Sequence, residues 1–360
     1  MKKFMSYTIV GCMLASCSFI KLDKLVSNQN IALTDNRVHF DLISGRILLR
    51  DSVNFILDIG APNVIFQNKI GSFPISDSLT LGKLENANGK MIENKCYVIT
   101  KMNNRLFNAE RPVFRVIEKE ANCYESDGFV GCELLQEQIF SINFQEQFVE
   151  RVTEQRLSAV KSNYLQATVT DYDGYYFLIE IKVDGKIIEA KLDTGNPHDL
   201  LLKKSDFDLL PKKPELSFFK SKTTIDTLFR QKSIATIGEA SENPIVVQSN
   251  HHLKRNLLGT GFMKNYNWII DYKNGAIYYQ MFMPNEPLLV KDRVIISKGD
   301  LLYYQTDDAD NIQNLGKTIA SLEGNQITAA NICFYSQMIN GGKSLKELEA
   351  KFEDTVPKLK

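Results

Sequence analysis

Two stretches of this 360-residue chain share one pattern. Residues 55–63 read FILDIGAPN, and residues 190–198 read AKLDTGNPH. In each stretch a short apolar run leads into Asp-x-Gly-x-Pro, and a second apolar run comes soon after it. The two aspartates, Asp58 and Asp193, are 135 residues apart (193−58), which is the size of a small domain. The repeat therefore predicts two copies of one lobe.

Two further landmarks occur in the same order in both copies. FVG at residues 129–131 matches LLG at residues 257–259, and INF at residues 142–144 matches IDY at residues 270–272. The interval from the landmark glycine to the middle of the next triplet is 12 residues in both copies (143−131 and 271−259). Three landmarks in one order support a duplication far more strongly than one Asp-x-Gly, which by itself is an ordinary turn sequence.

The apolar runs are short and are separated by turn residues, as is typical of a mainly β protein. Asn-Gly and similar pairs accept the positive φ angles of a tight type I′ turn. Three such pairs are predicted to close β-hairpins: Ser44-Gly45 between residues 38–42 and 47–49, Asp184-Gly185 between residues 176–183 and 187–192, and Asn274-Gly275 between residues 268–272 and 276–279.

This constellation resembles the aspartic peptidases, in their retropepsin-like and pepsin-like forms, over residues 35–283. The resemblance implies a bilobal double β-barrel in which each lobe supplies one aspartate. It identifies Asp58 and Asp193 as the catalytic pair, supported by Gly60, Thr194 and Gly195. It also implies hydrolysis of a peptide or protein substrate without a metal or an organic cofactor.

Paired carboxylates suit this reaction for a physical reason. Hydrolysis of an amide without a covalent intermediate needs a base that activates water and an acid that protonates the substrate. Two adjacent carboxylates cannot both ionise easily, so they share one proton and titrate as a pair. One member then acts as the base and the other as the acid.

The first copy departs from the family pattern. Ile59 stands where the family has Thr or Ser, and an isoleucine side chain can neither donate nor accept a hydrogen bond. After the glycine the family has a small residue, which Ala61 matches and Asn196 does not. Two functions therefore stay open: an aspartic endopeptidase, or a non-catalytic protein that keeps the groove to bind peptides.

Other chemistries have weaker support in the sequence. Residues 257–261 read LLGTG but lack the Gly-Lys-Ser/Thr ending of a phosphate-binding loop, so strand packing is favoured. His198, His251 and His252 lack metal-ligand spacing and are predicted to lie at the surface. The sequence has no Gly-x-Ser-x-Gly elbow for serine chemistry.

The N-terminus predicts export and lipid anchoring. Two lysines precede an apolar run that ends in LASC at residues 14–17, which resembles a bacterial lipoprotein signal. Residues 1–17 would then be the signal and its cleavage motif, with Cys17 as the acylated first residue of the mature protein. The resemblance implies the cell envelope, on the periplasmic or cell-surface side of a membrane. A simple secretion signal is the alternative, whereas the apolar run is too short for a transmembrane helix.

The charge composition of the chain bears on which partners it can bind. Lys+Arg and Asp+Glu number 43 each, and the chain has no basic run, so nucleic-acid binding is not expected. We expect a monomer. The exported cysteines outside the signal show no Cys-x-x-Cys spacing, and the sequence leaves their disulfide pairing open: Cys96, Cys123, Cys132 and Cys333.

The predicted organisation is two lobes and a C-terminal α+β module. Lobe 1 spans residues 33–150, a polar linker spans 151–164, lobe 2 spans 165–283, and the C-terminal module spans 287–353. Residues 314–324 resemble part of a PDZ domain, so a degenerate PDZ-like module is predicted, with a plain helical appendage as the alternative. Ser344 and Glu347 form a capping-box pattern that predicts a last helix over residues 345–352.

Overall fold

The computed structural model describes residues 27–28, 36–85, 91–117, 126–220, 224–287 and 289–353. About half of these residues are in strands, and the strands form two large sheets of 13 and 10 strands and two sheets of three. The mainly β, bilobal architecture predicted from the sequence is confirmed. Within the described residues, no helix has the length and apolar character needed to cross a membrane.

In its described residues, lobe 1 contains thirteen strands and one short α-helix. They are β1 (Ser27–Asn28), β2 (Arg37–Ile43), β3 (Arg46–Leu49), β4 (Phe55–Asp58), β5 (Val64–Phe66), β6 (Ile75–Glu85), β7 (Met91–Ile99), β8 (Lys101–Asn103), β9 (Asn108–Glu110), β10 (Val113–Ile117), β11 (Gly128–Gly131), α1 (Cys132–Leu135), β12 (Ile139–Asn143) and β13 (Phe148–Arg151). A 3₁₀ helix, Gln67–Ser72, comes after β5.

The predicted linker contains helix α2 (Glu154–Val160) and a 3₁₀ turn, Lys161–Asn163. Lobe 2 then consists of β14 (Leu165–Gln166), β15 (Val169–Tyr172), β16 (Phe177–Val183), β17 (Lys186–Asp193), β18 (Leu200–Lys203), α3 (Lys204–Phe207), β19 (Glu215–Lys220), β20 (Ile225–Thr236), β21 (Asn243–Asn250), β22 (Leu257–Gly259), α4 (Thr260–Met263), β23 (Tyr266–Asp271) and β24 (Ala276–Met281).

The same strand arrangement surrounds the aspartate in each lobe. In lobe 1, β4 pairs in parallel with β11, β11 is antiparallel to β5, and β5 is parallel to β10. In lobe 2, β17, β22, β18 and β21 repeat these three pairings in the same order. The registers also agree, because Asp58 is opposite Gly131 and Asp193 is opposite Gly259. The landmarks that repeat in the sequence are therefore equivalent in three dimensions.

A pseudo-two-fold axis passes between β12 and β23. These strands pair antiparallel, with Ser141 opposite Ile269. The two positions are equivalent, because they differ by 128 residues (269−141), as the landmark glycines do (259−131). A position that pairs with its own equivalent lies on the symmetry axis. The lobes are thus joined by one continuous sheet, and a single hydrophobic cluster contains residues of both.

The predicted hairpins form, and one turn differs from the prediction. Ser44 and Gly45 both have positive φ, as do Asp184 and Gly185, which is the type I′ pattern. The third connection is a four-residue turn between β23 and β24, in which Gly275 has positive φ (+66°) and Asn274 does not. The Asp271 carboxylate accepts hydrogen bonds from the backbone and side-chain nitrogens of Asn274, which stabilises this longer turn.

The C-terminal module extends the sheet of lobe 2. It contains β25 (Arg293–Ser297), β26 (Asp300–Thr306), a 3₁₀ helix (Ala309–Asn314), β27 (Ile319–Leu322), β28 (Asn325–Gln326), α5 (Ile332–Asn340) and β29 (Lys351–Phe352). Strand β26 pairs with β19 of lobe 2, and the module has a hydrophobic core of its own. The PDZ-like assignment stays a prediction.

The predicted last helix over residues 345–352 is wrong. Both capping-box hydrogen bonds form: Ser344 N donates to Glu347 Oε2 at 2.8 Å, and Glu347 N donates to Ser344 Oγ at 3.2 Å. The chain nevertheless continues only as a turn, because Lys351–Phe352 pairs with β27 as a strand. A local cap can start a helical turn, but pairing with a distant strand ends it within a few residues.

Candidate active site

The two Asp-x-Gly turns meet at the interface between the lobes. Asp58 ends β4 and Asp193 ends β17, and their carboxyl groups share a hydrogen bond. A Cβ added at Gly195 would lie 2.2 Å from Asp58 Oδ2, and one added at Gly60 would lie 2.5 Å from Asp193 Cγ. Any side chain at either glycine would collide with the opposite carboxylate, so glycine is required for this close approach.

Backbone amides hold each carboxylate. Asp58 Oδ1 accepts a hydrogen bond from Gly60 N at 3.1 Å. Asp193 Oδ1 accepts from Gly195 N at 3.0 Å and from Asn196 N at 3.1 Å. These bonds fix the direction of both carboxylates and leave Oδ2 of each for other partners. Both aspartates lie between the lobes, and each residue is partly exposed to solvent.

Thr194 links the two turns from one side. Its hydroxyl is completely buried, donates to Leu57 O at 2.8 Å and accepts from Ile59 N at 3.0 Å. Ile59 occupies the equivalent position in lobe 1 and is buried as an apolar contact, with 3% of its surface exposed. The hydroxyl link across the pseudo-two-fold axis is therefore made by one lobe alone.

The apolar-apolar-Gly landmarks pack directly behind the turns. Cys132 N donates to Ala61 O at 2.9 Å in lobe 1, and Thr260 N donates to Asn196 O at 2.8 Å in lobe 2. Thr260 also donates its hydroxyl hydrogen to Thr194 O at 2.9 Å. A Cβ at Gly131 would lie 2.0 Å from Ala61 O, so this strand also requires glycine.

A buried ion pair braces the turn of lobe 1. Arg115 and Glu133 approach to 2.9 Å, and their side chains are 6% and 8% exposed. Glu133 Oε2 also accepts from Asn63 N at 2.9 Å, and the Asn63 side chain accepts from Gly131 N at 2.8 Å. Gly131 is the strand partner of Asp58. The ion pair is therefore connected to Asp58 through Asn63 and Gly131.

Each turn is also contacted by a cation from the opposite lobe. Lys191 Nζ donates to Gly60 O at 2.6 Å and lies 3.4 Å from the centre of the Tyr176 ring. Arg46 Nε donates to Gly195 O at 2.9 Å. Arg46 and Tyr176 lie at equivalent positions in the two lobes. Leu48 pairs with Ile56, two residues before Asp58, and Arg46 lies two residues before Leu48. In the same way Leu178 pairs with Lys191, two residues before Asp193, and Tyr176 lies two residues before Leu178. The glycine carbonyls of both turns thus accept N–H donors from side chains.

The electrostatics place a proton on Asp58. Burial raises its pKa most, the negative charge of Asp193 raises it further, and the ammonium of Lys191 opposes both, so the pKa of Asp58 is about 8. Burial also lowers the pKa of Lys191, while Asp193 partly restores it. Near neutral pH Asp58 therefore carries a proton.

Two cavities flank the turns. One, of about 730 Å³, is lined by Tyr176 and Lys191, with Asp171 and Lys254 on its exposed rim. The other, of about 930 Å³, is lined by Arg46 and by Pro197, which lies two residues after Gly195. Asp58 and Asp193 line neither cavity, but each cavity is lined by a cation that contacts a turn glycine, Lys191 in one and Arg46 in the other.

The structure brings together all the predicted site residues that it describes: Asp58, Gly60, Asp193, Thr194 and Gly195. Cys17 lies outside the described residues, as does Cys123. Cys96 and Cys132 are buried thiols, and Cys333 is disulfide-bonded.

The surface prediction for the histidines is correct for two of three. His251 and His252 are exposed, whereas His198 is partly buried in the wall of the 930 Å³ cavity. Burial, with Arg293 and Arg46 nearby, holds the pKa of His198 well below its usual range. His198 lies only a few residues after the Asp193 turn, so the fold carries it inward with the turn.

Sequence reasoning missed the two cations. The position of Lys191 near the site was predictable. Residues two apart in a strand share a face, and Asp193 lies two residues after Lys191. No local pattern marks Arg46, since it contacts Gly195 across 149 positions of sequence.

Comparison with known proteins identifies no family. No family model matches the chain, and no curated protein matches it. Conglutin gamma, a basic 7S globulin from lupine seeds, is a similar solved structure at 10% identity and a TM-score of 0.41, covering 68% of this chain and 93% of that one. The aspartic proteinase from Irpex lacteus is similar at 11% identity and a TM-score of 0.43, covering 68% and 96%. At these values the similarity says nothing about activity.

Proposed function

We propose that this protein is an aspartic endopeptidase that cleaves a peptide or protein outside the cytoplasm. The observation that carries the proposal is the contact of Asp58 with Asp193: two carboxyl groups, joined by a hydrogen bond, that hold one proton between them. Such a pair contains both a base and an acid for the same bond. Both aspartate residues are partly exposed, which is consistent with access of water and substrate to the pair.

The proton inventory assigns the roles. Asp193, ionised, accepts a proton from the attacking water as the water oxygen bonds to the scissile carbonyl carbon. Asp58, protonated, gives its proton to the carbonyl oxygen. Collapse of the resulting diol breaks the C–N bond: Asp193 gives the amine nitrogen the proton that it took from water, and Asp58 takes back a proton from one hydroxyl of the diol. The products are a carboxylic acid and an amine, and the pair returns to its starting state. No group outside the pair is needed to balance the protons.

The geometry favours reaction because it is preorganised. The backbone amides of Gly60 and Gly195 fix the carboxylates before substrate binds, so the reaction does not have to orient them. Lys191 adds a positive charge beside the pair, which limits how far the pKa of Asp58 rises. The pKa of Asp58 is nevertheless about 8, so Asp58 keeps its proton near neutral pH.

A non-catalytic peptide-binding protein is the second candidate. Two features favour it: Ile59 removes half of the hydroxyl link, and side chains already occupy the carbonyl oxygens of Gly60 and Gly195. A peptide could use the groove without being cut if these groups prevent the water from reaching the carbonyl carbon.

Cleavage of an unbiased peptide pool, analysed by mass spectrometry from about pH 3 to about pH 9, separates the two candidates. We expect cleavage by the wild-type protein and none by Asp193→Asn, because an amide cannot accept the proton of water. Asp171→Asn is the matched control, since Asp171 is an exposed carboxylate at the rim of the 730 Å³ cavity. Uncut peptides throughout, with retained peptide binding, would support the second candidate instead.

The proposed location is the cell envelope, with the chain anchored through acylated Cys17. Cys17→Ser should abolish incorporation of labelled palmitate and release the protein from the membrane fraction. Acyl chains supply about 0.8 kcal/mol per buried methylene, so their loss removes most of the membrane affinity. Continued labelling of the Cys17→Ser protein would rule out this anchor.

A further inference from the structure

The 930 Å³ cavity lies where three parts of the chain meet. The β2–β3 turn of lobe 1 forms one wall, residues 197–199 of lobe 2 form the second, and β25 with α5 of the C-terminal module forms the third. Arg46 belongs to this cavity and also donates to Gly195 O. The cavity is therefore linked to the turn of Asp193 through Arg46.

Arg293, on β25, is the unusual residue of this cavity. Its Nε atom is buried and has no hydrogen-bond partner, and no carboxylate in the described part of the chain forms an ion pair with it. Burial lowers its pKa most, and the charges of Arg230 and Arg46 lower it further, so the pKa of Arg293 is about 10. Tyr304 and Asp307 partly oppose this lowering, but neither forms a hydrogen bond or an ion pair with Arg293 in the described part of the chain. A partly buried guanidinium without a directly paired anion is costly.

The neighbouring arginines already have partners. Arg230 donates to Val290 O at 2.7 Å and forms an ion pair with Asp307. Arg46 donates to Gly195 O. In the described part of the chain, Arg293 is therefore the arginine of this cluster whose side chain forms no hydrogen bond or ion pair, and Arg46 uses only its Nε.

The acidic residues of the cavity wall do not neutralise Arg293. Asp41 is exposed and pairs with Arg50 at 2.6 Å. Asp199 accepts from Val246 N at 2.8 Å, and Glu286 is exposed at the rim. The lining therefore contains the cations Arg46, Lys264 and Arg293 and these three carboxylates, none of which forms an ion pair with Arg293.

From this geometry we infer that Arg293, assisted by Arg46, binds a carboxylate of the substrate, so that the protein prefers acidic peptides. A guanidinium matches a carboxylate with two parallel N–H···O bonds, which are among the strongest hydrogen bonds in proteins. The low pKa of His198, which Arg293 and Arg46 help to depress, is consistent with the positive charge of these two side chains. The inference rests on the proposed function only in that a peptide occupies the groove.

The carboxylate has two sources, an acidic side chain or the C-terminus of the peptide, and binding experiments distinguish them. The full chain carrying Asp193→Asn is titrated into fluorescein-labelled alanine octapeptides, and anisotropy is recorded. One set carries a single Glu at each position in turn as a C-terminal amide, and a matched set carries Gln. An all-alanine peptide is compared as acid and as amide.

We expect a peptide with Glu at one position, or the all-alanine peptide with a free C-terminal acid, to bind roughly 10- to 100-fold more tightly than its neutral counterpart. This is the gain in affinity that a hydrogen bond to a charged group gives. Arg293→Met should abolish this preference, and Arg293→Lys should retain part of it. Lys264→Met is the matched control, because Lys264 is an exposed cation on the same cavity, and it should leave the preference intact.

Three results would overturn the inference: equal binding of acidic and neutral peptides, a preference that survives Arg293→Met, or an equal loss with Lys264→Met. The Glu and Gln comparison needs no Arg293 variant, so it decides the matter even if Arg293→Met fails to fold. Since the assay uses Asp193→Asn, it does not require cleavage. A failure of the peptidase proposal therefore leaves this test intact.

Discussion

The hydroxyl of Thr194 accepts a hydrogen bond from the backbone N–H of Ile59 at 3.0 Å. Ile59 has no hydroxyl, so it cannot accept the equivalent hydrogen bond from the backbone N–H of Thr194. The two residues are equivalent in the duplicated fold, each lying between Asp and Gly of its turn. One side chain thus links the lobes by hydrogen bonds, and the other contributes only apolar packing.

Replacing Ile59 with Thr should restore the second half of this link. The new hydroxyl would lie where it can accept from Thr194 N, and a neutral hydrogen bond contributes about 0.5–1.5 kcal/mol. If the gain appears mainly in the transition state, kcat should rise about threefold to tenfold. Steady-state cleavage measures this, with unfolding in denaturant as the check on lost apolar contacts. A fall in kcat at unchanged stability would contradict the expectation.

Replacing Lys191 with Met should move the alkaline limb of activity to higher pH. The wild-type pair keeps its proton until the pH reaches the pKa of Asp58, about 8. Lys191 lowers that pKa, so its removal raises it. The profile of kcat/KM against pH measures the limb. Lys254→Met removes an exposed cation from the same cavity and should leave the limb in place; a shift to lower pH in Lys191→Met would refute the assignment.

Replacing Asp58 with Asn should stabilise the protein increasingly as pH rises. Folding raises the pKa of Asp58 from 3.8 to about 8. The protonated form of Asp58 therefore contributes its full stability below the pKa of the unfolded state. This contribution is lost as the pH rises through the pKa of the folded state. Asparagine does not titrate. The difference in unfolding free energy between Asp58→Asn and wild type, measured in urea at several pH values, should grow between those two pKa values. Asp171→Asn should show no comparable growth.

Replacing Glu133 with Ala should cost about 3–5 kcal/mol of unfolding free energy, because it leaves Arg115 as a buried charge without its carboxylate. The double variant Arg115→Met/Glu133→Leu should recover most of this loss, since apolar groups can replace a buried ion pair. Chemical denaturation measures both. The exposed pair of Arg50 and Asp41 gives the control, and Asp41→Ala should cost about 0–1 kcal/mol. A small loss for Glu133→Ala would show that the pair does not brace the turn.

Local patterns in the sequence predicted much of the fold. Alternating apolar runs, Gly-containing turns and the repeated Asp-x-Gly motif each depend on a few adjacent residues, and strands β16 and β17 formed where they were predicted. The third hairpin shows the limit. The Asn274-Gly275 pair was present, yet hydrogen bonds to Asp271 produced a longer turn.

By itself, the sequence determined that the chain is duplicated, that it is mainly β, and that Asp58 and Asp193 end equivalent strands, because these properties are encoded within short segments. Only the tertiary structure decided what surrounds the pair. Lys191 and Arg46 reach the turns from the opposite lobes, and Arg293 reaches the cavity from the C-terminal module. Such contacts join residues more than a hundred positions apart, and they form only when strand pairing has closed the lobes against each other.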